Sequence, residues 1–169
     1  MNKLNENIFH QYNKWKTGYE RKENSLQMRL NDFLSNEANV EYTDFCHISK
    51  DGKHVDCDTG ITIRDDDLID GKFPFPFGKV KGHFDCAFAD DLVSLEGAPE
   101  EVTGDFFCSH CSKLTSLEGA PEEVGGDFCT QLCPNLTSLE HLPKKIGGGL
   151  CVDKRFMGKL PSDILVVYY

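Results

Sequence analysis

The sequence LVSLEGAPEEVTGD at residues 92–105 returns as LTSLEGAPEEVGGD at 114–127 and as LTSLEHLPKKIGGG at 136–149. This near-repetition at a spacing of 22 residues constrains the fold more than any other feature of the chain. A unit this short cannot bury an apolar side alone, so the copies must stack, each covering its neighbour. Aligned without gaps, the columns are Gly82, Gly104, Gly126 and Gly148, then Phe84, Phe106, Phe128 and Leu150. Leu92, Leu114 and Leu136 follow, then Leu95, Leu117 and Leu139, Pro99, Pro121 and Pro143, and Val102, Val124 and Ile146.

Each column has a physical reading. Phe106 and Cys108 alternate with Phe107 and Ser109, which is strand pleating, so stacked copies set Phe84, Phe106, Phe128 and Leu150 in one buried ladder. Leu114 and Leu117 turn inward on an irregular return path, where Pro121 fixes an extended segment that Val124 closes. Upstream, FPFPFGKVKG at 73–82 keeps the spacing of Phe73, Phe77, Val80 and Gly82 and reads as a degenerate first copy. Downstream, residues 150–169 begin a fourth copy and depart from it, ending in Asp163–Tyr169 as a closing strand. Atypical terminal units are what caps look like. Left open, the C-terminal edge would invite pairing with a second copy.

The expected architecture is α+β: a leucine-rich-repeat-type β-solenoid of parallel strands over 60–169, capped at its N-terminus. Residues 1–40 form a helical cap or partner segment and residues 41–59 a capping hairpin. Leu4, Ile8, Tyr12 and Trp15 recur at helical spacing, as do Leu26, Leu30, Phe33 and Leu34, predicting helices over about 3–16 and 22–35. In FCHISKDGKHVDCD, Asp51-Gly52 is a hairpin signal that pairs Lys50 with Lys53, Ser49 with His54, Ile48 with Val55, His47 with Asp56 and Cys46 with Cys57. Cys46, Ile48, Val55 and Cys57 then share one face, and His47 and His54 the other.

That alternation bears on metal chemistry. Cys46, His47, His54 and Cys57 have the residue types of a zinc set, but the pleat divides them between two faces, and zinc needs four converging donors. Opposed as they are, Cys46 and Cys57 are within bridging range in an oxidising setting. Cys108-x2-Cys111 with Cys129-x3-Cys133 is a second apparent zinc set. Here the repeat explains it: Cys86 and Cys108 share an inward column, Cys111 and Cys133 share another, and Cys129 falls in the opposite column. The expectation is structural thiols, with no metal and no cofactor. His110 occupies the slot of Phe88, Leu132 and Lys154, which argues against a catalytic pair with Cys111. The chain carries neither a phosphate-binding loop nor a Gly-x-Ser-x-Gly elbow, so the expectation is a non-enzymatic protein.

The outward strand columns are the candidate binding residues. They run His83, Asp105, Asp127, Gly149; Asp85, Phe107, Cys129, Cys151; and Ala87, Ser109, Gln131, Asp153. Phe107 reads as the anchor a partner would bury, with Asp105 and Asp127 orienting it and Asp85, Cys129, Gln131 and Cys151 around it.

The net charge of −10 is uneven. Lys3, Lys14, Lys16, Arg21, Lys22 and Arg29 outnumber the acids of residues 1–35, so the repeat body is more acidic still. Direct binding of nucleic acid, which depends on neutralising phosphates, is not expected of such a body. No apolar run is long enough to span a bilayer, and MNKLNENIFHQYNKWK is too polar for a signal peptide. The expected setting is a cytoplasm, where the eight cysteines remain thiols.

The pattern F-x-C-x-x-C-x-x-L-T-S-L-E-G-A-P-x-x-V-G-G resembles leucine-rich-repeat-like units in proteins of tailed bacteriophages and bacteria, over about residues 60–150. It is more loosely similar to repeats of bacterial effectors that carry a helical segment before the solenoid. The resemblance implies a protein-binding scaffold, acting in the host cytoplasm on a bacterial host protein as a phage-encoded modulator or inhibitor. The coils are too few for a long horseshoe, and no ligase-like domain follows them. Two other readings stand beside it: an acidic mimic of nucleic acid that occupies a DNA- or RNA-handling protein, and a zinc- or thiol-dependent protein.

Overall fold

A computed structural model describes residues 25–160 and 166–168. The first expected helix, with Tyr12 and Trp15, lies outside them. The second is α1, Leu26–Ser35, whose N-cap Ser25 accepts a hydrogen bond from the Met28 amide. Leu30 and Phe33 are buried, with Leu26 and Leu34 partly buried against the same core, so the apolar face is the one the spacing predicts. Phe33 stacks on Tyr42 and meets Phe75 edge-on, tying the helix to the first coil.

The strands are β1 (Cys46–Ile48), β2 (Val55–Cys57), β3 (Ile61–Thr62), β4 (Phe77–Val80), β5 (Phe84–Asp85), β6 (Glu101–Val102), β7 (Phe106–Phe107), β8 (Glu123–Val124), β9 (Phe128–Cys129), β10 (Lys145–Ile146), β11 (Leu150–Val152) and β12 (Val166–Tyr168). They form two six-stranded sheets, ordered β1-β2-β4-β6-β8-β10 and β12-β11-β9-β7-β5-β3. All pairings are parallel except β1 with β2. The molecule is a β-solenoid of about four turns with a helix at its N-terminal end.

The return path is more regular than the sequence suggests. Glu101-Val102, Glu123-Val124 and Lys145-Ile146 pair in register as strands of the first sheet. Between the sheets, Phe84, Phe106 and Phe128 stack nearly parallel with ring centroids 5.3 Å apart, and Leu150 follows them. Each ring is fully buried, a contribution of about 2–3 kcal/mol apiece by area removed from water. The serine of each LTSLE or LVSLE stretch folds the return path locally: Ser94, Ser116 and Ser138 Oγ accept from the amides of Glu96, Glu118 and Glu140.

The hairpin register is as expected, with Cys46 opposite Cys57, His47 opposite Asp56 and Ile48 opposite Val55. Its loop is wider than two residues. The Gly52 amide donates to the Ser49 carbonyl, and Asp51 Oδ1 accepts from Ser49 Oγ and the Lys53 amide, which takes Lys50 and Lys53 out of the ladder. At the other end β12 covers β11, while the first sheet ends, among the described residues, on the two-residue strand β10.

Candidate functional site

The repeat brings the expected binding residues into adjacent columns on the outer face of the second sheet. Asp85, Phe107, Cys129 and Cys151 are successive strand partners. Their exposure is not uniform: Phe107 is half-buried and stacks on His83 at 6.1 Å, whereas Cys129 and Cys151 are only 5% and 6% exposed. Burial pushes the Cys129 thiol up, so it stays protonated.

The aspartates spend their side chains on backbone. Asp105 Oδ1 accepts from the Asp127 amide at 2.7 Å, Asp127 Oδ1 from the Gly149 amide at 2.6 Å, and Asp85 Oδ1 from the Ala87 amide at 2.9 Å. A Cβ on Gly126 would collide with Asp105 Oδ1, and one on Gly148 with Asp127 Oδ1. Glycine in this column is therefore the space in which the previous coil's carboxylate sits. Asp105 and Asp127 brace successive coils. Gln131 is half-buried, its carbonyl accepts from the His110 amide, and its Oε1 has no hydrogen-bond partner among the described residues.

The thiols are likewise built into the stack. Cys111 Sγ donates to the Cys86 carbonyl at 3.2 Å, and Cys133 Sγ to the Cys108 carbonyl at 3.1 Å. Arg155, next in that column, closes the ladder on the carbonyls of Cys133 and Pro134. All eight cysteines are buried free thiols. Among the described residues no three His, Cys, Asp or Glu side chains are placed to hold a metal ion.

The first sheet presents charge, and most of it is paired. Its outer row reads Lys79, Glu101, Glu123, Lys145, with Lys79 on Glu101 and Lys145 on Glu123; beside it Lys144 pairs with Glu122, and His54 Nε2 lies 3.6 Å from Glu100. A polar cleft of about 660 Å³ opens at the hairpin end of this sheet, lined by His47, His54, Asp56, Lys79, Glu100 and Glu101.

A different column combines exposure with strain. Phe88, His110 and Leu132 occupy equivalent positions just after the strands of the second sheet, with φ of 62°, 60° and 59°. Left-handed backbone costs a side chain with a Cβ on the order of 1 kcal/mol or more per residue, and glycine or asparagine is the usual occupant. Yet Phe88 is 67% and Leu132 50% exposed, and the Phe88 and His110 rings stack 4.2 Å apart at 13°. The backbone keeps its inter-coil bonds, Phe88 amide to Ser109 carbonyl and His110 amide to Gln131 carbonyl, and the exposed Phe88 and Leu132 with the half-buried His110 between them form a ridge. In the sequence this column served only to discount a pair between Cys111 and His110. Its one visible signal is four large residues, Phe88, His110, Leu132 and Lys154, at a slot where turns usually carry small ones.

No family model matches the chain, and no curated protein or solved structure matches it significantly. No helix among the described residues is long and apolar enough to cross a membrane.

Proposed function

We propose that this chain is a non-enzymatic protein-interaction module whose anchor is the ridge Phe88–His110–Leu132, with the half-buried Phe107 beside it. The observation that carries this reading is the recurrence, in three successive coils, of a large side chain on left-handed backbone, exposed at Phe88 and Leu132 and half-buried at His110. Strain that is repeated and leads to exposure has no return in folding; burial against a partner supplies one. The resemblance of the repeat extends the proposal to a phage-encoded modulator acting on a bacterial host protein in the host cytoplasm. A nucleic-acid mimic is less well supported, because the glutamates of the first sheet are offset by lysines along the same row, and a mimic needs uncompensated charge.

The test compares the intact chain with Phe88→Asp and Leu132→Gly in affinity capture from bacterial lysate. The glycine variant relieves left-handed strain, so it should be at least as stable as the parent in thermal unfolding while losing the anchor. A protein retained by the parent and lost from both variants is the expected result. Identical retention by all three chains would remove the ridge as the binding surface.

A further inference from the structure

We infer that the ridge is self-complementary and that a second copy of this chain docks on it about a two-fold axis passing at His110. This rests on the reading of the ridge as a protein-binding surface and names its partner. Counting on from the strand register, the positions that flank the ridge are Asp65 and Lys154, each of which opens a 3-10 turn where Phe88, His110 and Leu132 are left-handed. Asp65 is fastened in place, its Oδ1 accepting from the Asp91 amide at 2.8 Å. With coils about 4.8 Å apart, the column is roughly 19 Å long.

Charge is distributed along it with a direction. Asp65 and Asp66 stand exposed beside Arg64 at the first-coil end; Lys154 stands exposed at the last-coil end, where Arg155 is already held by Asp153 and by the Cys133 and Pro134 carbonyls; the middle is aromatic and aliphatic. A two-fold through His110 reverses the column, so Phe88 meets Leu132 of the second copy while each acidic end meets a basic end. A side-by-side copy in the same direction would set aspartate on aspartate and lysine on lysine, which is repulsive at both ends. The two-fold satisfies both ends and the centre together, the defining property of an isologous contact. The stacked Phe88 and His110 rings add a flat surface at the axis. A contact this narrow buries less than the ~800 Å² per partner of a standard interface, so the dimer is weak and its formation falls with added salt.

The test is sedimentation of the full-length chain over a concentration series at low and high salt, beside Leu132→Asp, Lys154→Glu, Asp66→Lys and the double variant Lys154→Glu/Asp66→Lys. Each substitution counts twice in a two-fold contact, so each single charge reversal should weaken association roughly tenfold, and the double variant should recover most of that loss. Leu132→Asp should be monomeric while retaining the parent's circular dichroism and melting temperature. A chain that is monomeric throughout the series, or a dimer indifferent to Leu132→Asp and to the charge exchange, overturns the inference. Capture of a lysate protein that Phe88→Asp loses, by a chain that stays monomeric, would overturn self-docking and leave the interaction module standing. Failure of both experiments would remove both.

Discussion

At the scale of single residues, the repeat is written by what each side chain excludes. Gly126 is the space for the Asp105 carboxylate, which holds the Asp127 amide. Asp105→Ala leaves that amide without its acceptor and should cost about 1–2 kcal/mol. Gly126→Ala forces the carboxylate out and also presses on the Gly104 carbonyl carbon at 3.0 Å, so about 2 kcal/mol is expected. Because both substitutions break the same bond, the double variant should cost less than their sum by about 1 kcal/mol, read from urea unfolding of all four chains. Additive costs would mean that the brace is incidental. Sequence reasoning found the glycine column and the aspartates but set Asp105 and Asp127 to orient a partner, since spacing alone does not show which amide a carboxylate reaches. The ridge stayed hidden for a related reason. Phe, His and Leu do not advertise left-handed backbone, and only the stacking of coils imposes it on them.

At the scale of elements, the coils are held by strands of two to four residues, with buried thiols in them and just after them. Burial pushes Cys86, Cys108 and Cys129 above the ordinary thiol value of 9.0, and a neighbouring thiol followed by burial does the same for Cys57 and Cys133. In each the folded state favours the neutral form. Below pH 9 both states are protonated and this contribution is fully present; above it the unfolded chain releases protons that the folded chain keeps, so stability falls. Each such thiol removes about 1.4 kcal/mol per pH unit beyond its unfolded value. Urea midpoints should therefore be steady near neutrality and drop steeply past pH 9, with thiols that react slowly with a disulfide reagent until the chain unfolds. A midpoint unchanged through pH 10 would contradict this account. The inward columns and the hairpin register were legible because alternation and a turn signal fix them. The first sheet was not, because Glu101-Val102 and Glu123-Val124 are too short to show a period and become strands only when stacked.

At the scale of the whole molecule, stability passes from coil to coil, so the ends matter more than their length suggests. The N-terminal end is covered by α1 and by the β1-β2 hairpin, both largely legible in the sequence from apolar spacing and from Asp51-Gly52. At the other end the second sheet is closed by β12, while among the described residues the first ends on β10, a short strand that carries Lys145. Truncation after Leu160 removes β12 and opens the edge of β11, whose Leu150, Cys151 and Val152 are all buried in the intact chain. Two effects should follow. Amide exchange should quicken at Leu150 and Phe128 and change little at Phe84, because each coil leans only on its neighbours. The opened edge should also drive association that persists at high salt, unlike docking through the ridge, since backbone pairing is not screened as exposed charges are. A peptide of residues 161–169 added in trans should reverse both by supplying the missing strand. If the truncated chain exchanges uniformly faster at every coil, the solenoid unfolds as one unit, and the coil-by-coil account of its stability is wrong.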